Sequence, residues 1–110
     1  MTRERIYLFD TTLRDGQQTP GIDFSVEDKI VIAQMLDEFG LDYVEGGYPG
    51  ANPTDTAFFS DKRTKKAAFV AFGMTKRAGV SVSNDPGVAA LLQSKSDAIC
   101  YVAKAWDYHV

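Results

Sequence analysis

Arg14 and Asp15 set a cation beside a carboxylate, with the amides of Gln17 and Gln18 just beyond them and Asp10-Thr11-Thr12-Leu13 just before. A carboxylate in such a group is a natural ligand for a hard cation. The neighbouring guanidinium can neutralise a bound carboxylate or an oxyanion forming on the same substrate. An isolated Arg-Asp-Gly tripeptide is more often an ion pair that merely pins a turn, and it is the longer string around it that favours chemistry. Ile6, Tyr7, Leu8 and Phe9 precede the motif as an apolar run, which predicts a strand buried on both faces, and Gly16 punctuates its end. In parallel α/β proteins that end of a strand is where ligands sit. Glu45 is the second candidate, a carboxylate in the otherwise apolar and glycine-rich segment Tyr43-Val44-Glu45-Gly46-Gly47. A carboxylate there needs a partner, and Arg14 is the obvious one.

The elements that must position these residues follow from periodicity. Val26, Ile30, Ala33 and Leu36 form a helical stripe, widened by Ile32, Met35 and Phe39, which predicts an amphipathic helix from Ser25 to Phe39. Ser25 is its N-cap, Asp28 completes a capping box, and Gly40 stands where a left-handed stop belongs. A second strand covers 43–47. Asn52 and Pro53 open a short helix reaching about Ser60, Ala67 to Gly73 is a third apolar strand, and Asp85 and Pro86 open a third helix carrying Val88, Leu91 and Leu92. A fourth strand runs from Asp97 to Ala103. Alternation of strands and helices predicts βαβ units on a parallel sheet with right-handed crossovers. The pattern fits either a doubly wound sheet or the first half of a (β/α)8 barrel, about four βα units. The pattern alone does not separate the two: a whole barrel takes about 250 residues, so 110 would hold about four of its eight strands, and no Gly-x-Gly-x-x-Gly turn follows the first strand. Only with the opening motif and the family it resembles do the 110 residues read as a half barrel forming one partial catalytic domain.

Parallel strands would gather Arg14, Asp15 and Gln18, Glu45, Thr75 to Arg77, and Lys104, Trp106 and Asp107 at one end. Lys76 and Arg77 read as surface cations and Trp106 as core packing, while Gly46, Gly47, Pro49 and Gly50 either admit a ligand to the backbone or serve ordinary loop chemistry. Composition limits the alternatives. With 45% hydrophobic and 12% aromatic residues the chain can bury a core, and a formal charge of −3 with dispersed cations gives no nucleic-acid surface. The one basic run, Lys62, Arg63, Lys65 and Lys66, is either a phosphate or coenzyme patch or, preferably, a solvated helix end. Cys100, the sole cysteine, lies in the apolar run Ala98 to Val102 and reads as a buried, inert thiol. No segment has transmembrane length and no apolar signal region opens the chain, so a reducing cytoplasm and no membrane partner are expected.

The string Asp10-Thr11-Thr12-Leu13-Arg14-Asp15-Gly16, followed by Gln18, resembles the first-strand signature of the metal-dependent Claisen-condensing and lyase TIM barrels. That family comprises 2-isopropylmalate, homocitrate and citramalate synthases and 3-hydroxy-3-methylglutaryl-CoA lyase. The segments Val44 to Pro53, Ala71 to Thr75 and Lys104 to Val110 are similar to its citramalate branch, so the resemblance runs over essentially the whole chain. It implies an acyltransferase that condenses acetyl-CoA with pyruvate to citramalate, on the route to isoleucine. Within it Asp15 would be a ligand to a divalent metal (Mn, Mg or Zn), Arg14 would stabilise the developing alkoxide, Gln18 would orient the 2-oxo acid, and Glu45 would fix Arg14 or a metal-bound water. The resemblance further implies a homo-oligomer, a dimer, for the full-length proteins.

The family completes its metal site with a His-x-His pair that this sequence lacks. Its sole histidine, His109, matches the loop after strand four and is not counted as a ligand. With one metal ligand where about three are usual, the 110 residues are expected to be an inactive fragment on their own. The alternatives are a 2-isopropylmalate synthase, a hydroxyacyl-CoA lyase, or, in another class, a non-catalytic half-barrel module that assembles through the unpaired edges of strands one and four.

Overall fold

The computed structural model describes residues 4–74, 79, 81 and 84–103. Among the described residues the elements in chain order are β1 (Phe9–Asp10), a 3-10 turn (Gly16–Gln18), α1 (Val26–Phe39), β2 (Tyr43–Gly47), α2 (Pro53–Phe58), β3 (Ala68–Met74), α3 (Pro86–Gln93) and β4 (Ala98–Val102). All four strands are parallel and lie side by side in chain order, β1-β2-β3-β4. A doubly wound sheet reverses its strand order at a switch point, and this sheet does not. The architecture is that of half a (β/α)8 barrel, four parallel strands with the three helices that connect them.

The helix ends show the local chemistry directly. Ser25 Oγ accepts from the Asp28 amide at 3.1 Å, and the Asp28 carboxylate accepts from the Ser25 amide at 3.1 Å, closing the capping box. Gly40 ends α1 at φ 101°, a conformation that costs a side chain but not glycine. Asn52 Oδ1 caps α2 through the Asp55 amide at 2.8 Å, and the carboxylate of Asp85 caps α3 through the Gly87 amide at 2.8 Å. α2 stops at Phe58, two residues short of the expected end. There Arg63 bends back to donate to the Phe58 and Ala57 carbonyls of the last turn, and the amide and hydroxyl of Ser60 also donate to Ala57.

Between sheet and helices the core gathers Leu13, Ala33, Val44, Ala67, Ala71 and Leu91 around the rings of Phe58, Phe59 and Phe69. Those rings meet with centroids 4.6 to 5.6 Å apart, two pairs edge-on and one stacked. β2 comes very close to them. A Cβ on Gly46 would stand 2.7 Å from carbons of Phe58 and Phe69, so glycine here serves packing rather than ligand approach.

Three aspartates tie the N-terminal ends of the strands together. Asp42, just before β2, accepts from the Leu8 amide at 2.9 Å and pairs with Arg5 at 2.5 Å. Asp97, just before β4, repeats the arrangement on the Phe69 amide at 2.9 Å, with Lys62 at 3.1 Å. Asp37 takes the amides of Lys65, Lys66 and Ala67 at 2.8, 2.9 and 2.7 Å, fixing the approach to β3. The basic run from Lys62 to Lys66 therefore lies at the strands' N-terminal ends, with Lys62, Lys65 and Lys66 exposed.

Two expectations change. The first strand is not buried on both faces: only Phe9–Asp10 pair, and Ile6, Tyr7, Leu8 and Phe9 are 80, 59, 51 and 45% exposed. Among the described residues β1 pairs with β2 alone, so no second strand covers this run. Met35 and Phe39 do not widen the buried stripe of α1 either, being 63 and 83% exposed. The buried face turns instead through Lys29, Ala33 and Asp37, two charged side chains included.

Candidate functional site

The motif after β1 is built residue by residue from local hydrogen bonds. Asp10 accepts from the amide and hydroxyl of Thr12 at 2.9 and 3.0 Å, turning the chain out of the strand. The Thr11 carbonyl then receives the amides of Arg14, Asp15 and Gly16 at 3.2, 2.7 and 3.2 Å. Leu13 drops into the core and is fully buried, which anchors the loop. With Leu13 pointing inward, Arg14 emerges toward the ends of β2 and β3, and Asp15 projects to solvent with its side chain 65% exposed.

Arg14 is held on three sides. Its Nε donates to Glu45 Oε1, its Nη1 stands 3.7 Å from Asp15 Oδ1, and its guanidinium lies 4.5 Å over the ring of Phe72 on β3. Glu45 is 1% exposed, so the expected Arg14–Glu45 partnership is one in which a buried carboxylate is neutralised by a cation that keeps a solvent edge. The second oxygen, Glu45 Oε2, is buried with no hydrogen-bond partner among the described residues. Cys100 on β4 belongs to the same group. It is half-buried rather than buried, and burial first and the Glu45 carboxylate second push its thiol above the ordinary value, with Arg14 opposing. The thiol stays protonated at neutral pH, which agrees with an inert cysteine.

Behind this group lies a second ion pair with no counterpart in the sequence reading. Lys29 of α1 and Asp55 of α2 are 0 and 2% exposed and bonded through Nζ and Oδ1. Asp55 Oδ2 accepts from the Tyr48 amide at 2.8 Å, and Gln17 Nε2 reaches Asp55 Oδ1 at 3.4 Å. Burial lowers the Lys29 ammonium below its ordinary value, and the hydrogen bond and charge of Asp55 oppose that shift. The available signal was positional: Lys29 lies three residues after Val26 and four before Ala33, within the stripe that faces the sheet.

Of the expected site residues, the structure brings Arg14, Asp15 and Glu45 together. Gln18 is exposed and makes no side-chain hydrogen bond shown here, whereas Gln17 turns inward. Thr75, Lys76, Arg77, Lys104, Trp106, Asp107 and His109 lie outside the described residues. Gly47, at φ 146°, and Gly50, at φ 88°, bring backbone against Asp55 and Lys29 and against Ala90, so both serve internal packing. Among the described residues no three His, Cys, Asp or Glu side chains group closely enough to hold a metal ion. Asp15 offers a hard, accessible oxygen, but one ligand falls short of a divalent-cation site. No helix among the described residues is long and apolar enough to cross a membrane.

The sequence that builds this sheet and site has relatives among known proteins. The HMGL-like family model aligns with residues 5–91, and the chain belongs to that family. It is 47% identical over 110 residues to an (R)-citramalate synthase of Aquifex aeolicus, covering 97% of this chain and 21% of that one. To an (R)-citramalate synthase of Streptomyces coelicolor it is 50% identical over 111 residues, again 97% of this chain and 21% of the other. A probable 2-isopropylmalate synthase of Methanopyrus kandleri is 57% identical over 49 residues, but covers only 44% of this chain. The chain spans about a fifth of the length of the curated relatives it matches.

Proposed function

We propose that these 110 residues form the N-terminal half of the catalytic barrel of a citramalate synthase-like acyltransferase, which joins acetyl-CoA to pyruvate. The observation that carries this reading is the clamped guanidinium: Arg14, fixed by Glu45 and Phe72 at the C-terminal ends of the strands, retains N–H donors on an open edge. Attack of the acetyl-CoA enolate carbon on the ketone forms a carbon–carbon bond and moves an electron pair onto the ketone oxygen. A fixed cation beside that oxygen stabilises the alkoxide without reorganising. Glu45 holds Arg14 in place, Gln18 orients the 2-oxo acid from the exposed side of the loop, and hydrolysis of the thioester releases CoA. Asp15 would supply one oxygen ligand to a divalent cation (manganese, magnesium or zinc), which these residues alone do not complete and which would contribute Lewis-acid polarisation of the ketone.

The branch is chosen by extent. Similarity to citramalate synthases covers 97% of the chain, against 44% for the 2-isopropylmalate synthase of M. kandleri. The test is a chimera in which this chain replaces the matching segment of the A. aeolicus enzyme. Expected are release of CoA from acetyl-CoA with pyruvate as acceptor, no turnover by the 110 residues alone, and at least about a hundredfold loss with Arg14→Lys, typical for removal of an oxyanion partner. A folded chimera that prefers a bulkier 2-oxo acid, or whose Arg14→Lys variant is unimpaired, refutes the proposal.

A further inference from the structure

The Lys29–Asp55 pair plays no part in the chemistry above, yet it is the most deeply buried charge in the described molecule. An apolar pair of similar volume would pack α1 against α2 at no electrostatic cost. What an apolar pair could not do is hold donors from elsewhere. Asp55 receives Lys29 Nζ from α1, the Tyr48 amide from the turn after β2, and the Gln17 side chain from the motif loop. A Cβ on Gly47 would lie 2.6 Å from Asp55 Oδ2 and 2.8 Å from Lys29 Nζ, so the end of β2 is seated directly on the pair.

Both outer contacts lead to the site. Gln17 lies two residues from Asp15 and next to Gln18. Tyr48 packs edge-on against Phe72 with centroids 5.1 Å apart, and Phe72 is the ring beneath Arg14. We propose that Asp55, neutralised by Lys29, is a positioning residue that sets the motif loop against the turn after β2, and so sets Asp15 and Gln18 relative to Arg14 and Glu45. The catalytic consequence rests on the function proposed above. The positioning rests on geometry alone.

Two measurements separate these claims. In the 110-residue chain, Gln17→Ala removes the link to the loop and leaves the ion pair intact. It should raise amide hydrogen exchange at residues 14–18 about three- to tenfold, with exchange in β3 and the unfolding midpoint unchanged. Asp55→Asn keeps an acceptor for the Tyr48 amide while losing the charge, and should also loosen the loop more than β3. In the chimera, Gln17→Ala should raise KM for the 2-oxo acid about tenfold with kcat within about twofold, the signature of lost ground-state positioning. A purely structural pair predicts exchange and midpoint moving together everywhere and KM unmoved, and either result overturns the proposal. An inactive chimera refutes the citramalate reading, and the exchange pattern then decides the positioning.

Discussion

Asp37→Ala is the substitution expected to damage this fold most for the fewest atoms removed. The carboxylate is 7% exposed and receives three amides. Ala67 is 2% exposed, so its N–H finds no water when the acceptor goes, at a cost of about 1–3 kcal/mol. Lys65 and Lys66 are exposed, and their amides regain solvent, losing about 0.5 kcal/mol each. The sum is about 2–4 kcal/mol, read as a lowered urea midpoint at constant slope. Asp37→Asn keeps one carbonyl oxygen for part of the set and should cost about 1–2 kcal/mol. The pH dependence isolates the charge. Burial would raise the Asp37 carboxyl, but the amides of Ala67, Lys65 and Lys66 and the Lys66 charge outweigh it and hold it below the ordinary value. A depressed folded pKa contributes stability that is full above the unfolded value of about 3.9 and is lost as pH falls through the folded value. The gap between wild type and Asp37→Asn should therefore narrow between about pH 5 and pH 2. A cost for Asp37→Ala below about 1 kcal/mol, or a gap that does not narrow on acidification, would refute the reasoning.

Two further outcomes are expected. Gly46→Ala forces a methyl to within 2.7 Å of Phe58 and Phe69 and 3.0 Å of Phe59, rings with little freedom to retreat. It should destabilise by about 2–3 kcal/mol despite the small entropic gain of replacing glycine, as chemical denaturation would show. Cys100, its thiol raised by burial and by Glu45, should alkylate more slowly than a free cysteine at about pH 8, and a faster rate would contradict the placement of its side chain.

Much of this architecture was legible because its signals are local. Capping by Ser25, Asn52 and Asp85, the stop at Gly40 and the apolar runs of β2, β3 and β4 depend on residues within a turn or two of one another. The Arg14–Glu45 pair was legible for a different reason: a lone carboxylate in an apolar strand demands a cation, and parallel strand ends supplied only a few. The misreading of Ile6 to Phe9 has a physical source. An apolar run reports what a strand would gain from burial, and whether neighbours exist to provide it is a property of the sheet.

The sequence by itself determined the class of fold, the motif loop and the residues that carry its charge, since periodicity, capping and turn chemistry are written in short intervals. The tertiary structure bore out the barrel order of the strands, and it alone decided that Gln17 rather than Gln18 turns inward and that Lys29 and Asp55 meet beneath the site. Those facts depend on packing between α1, β2 and α2. A buried charge is tolerated only where its partner, 26 residues away, arrives from another element.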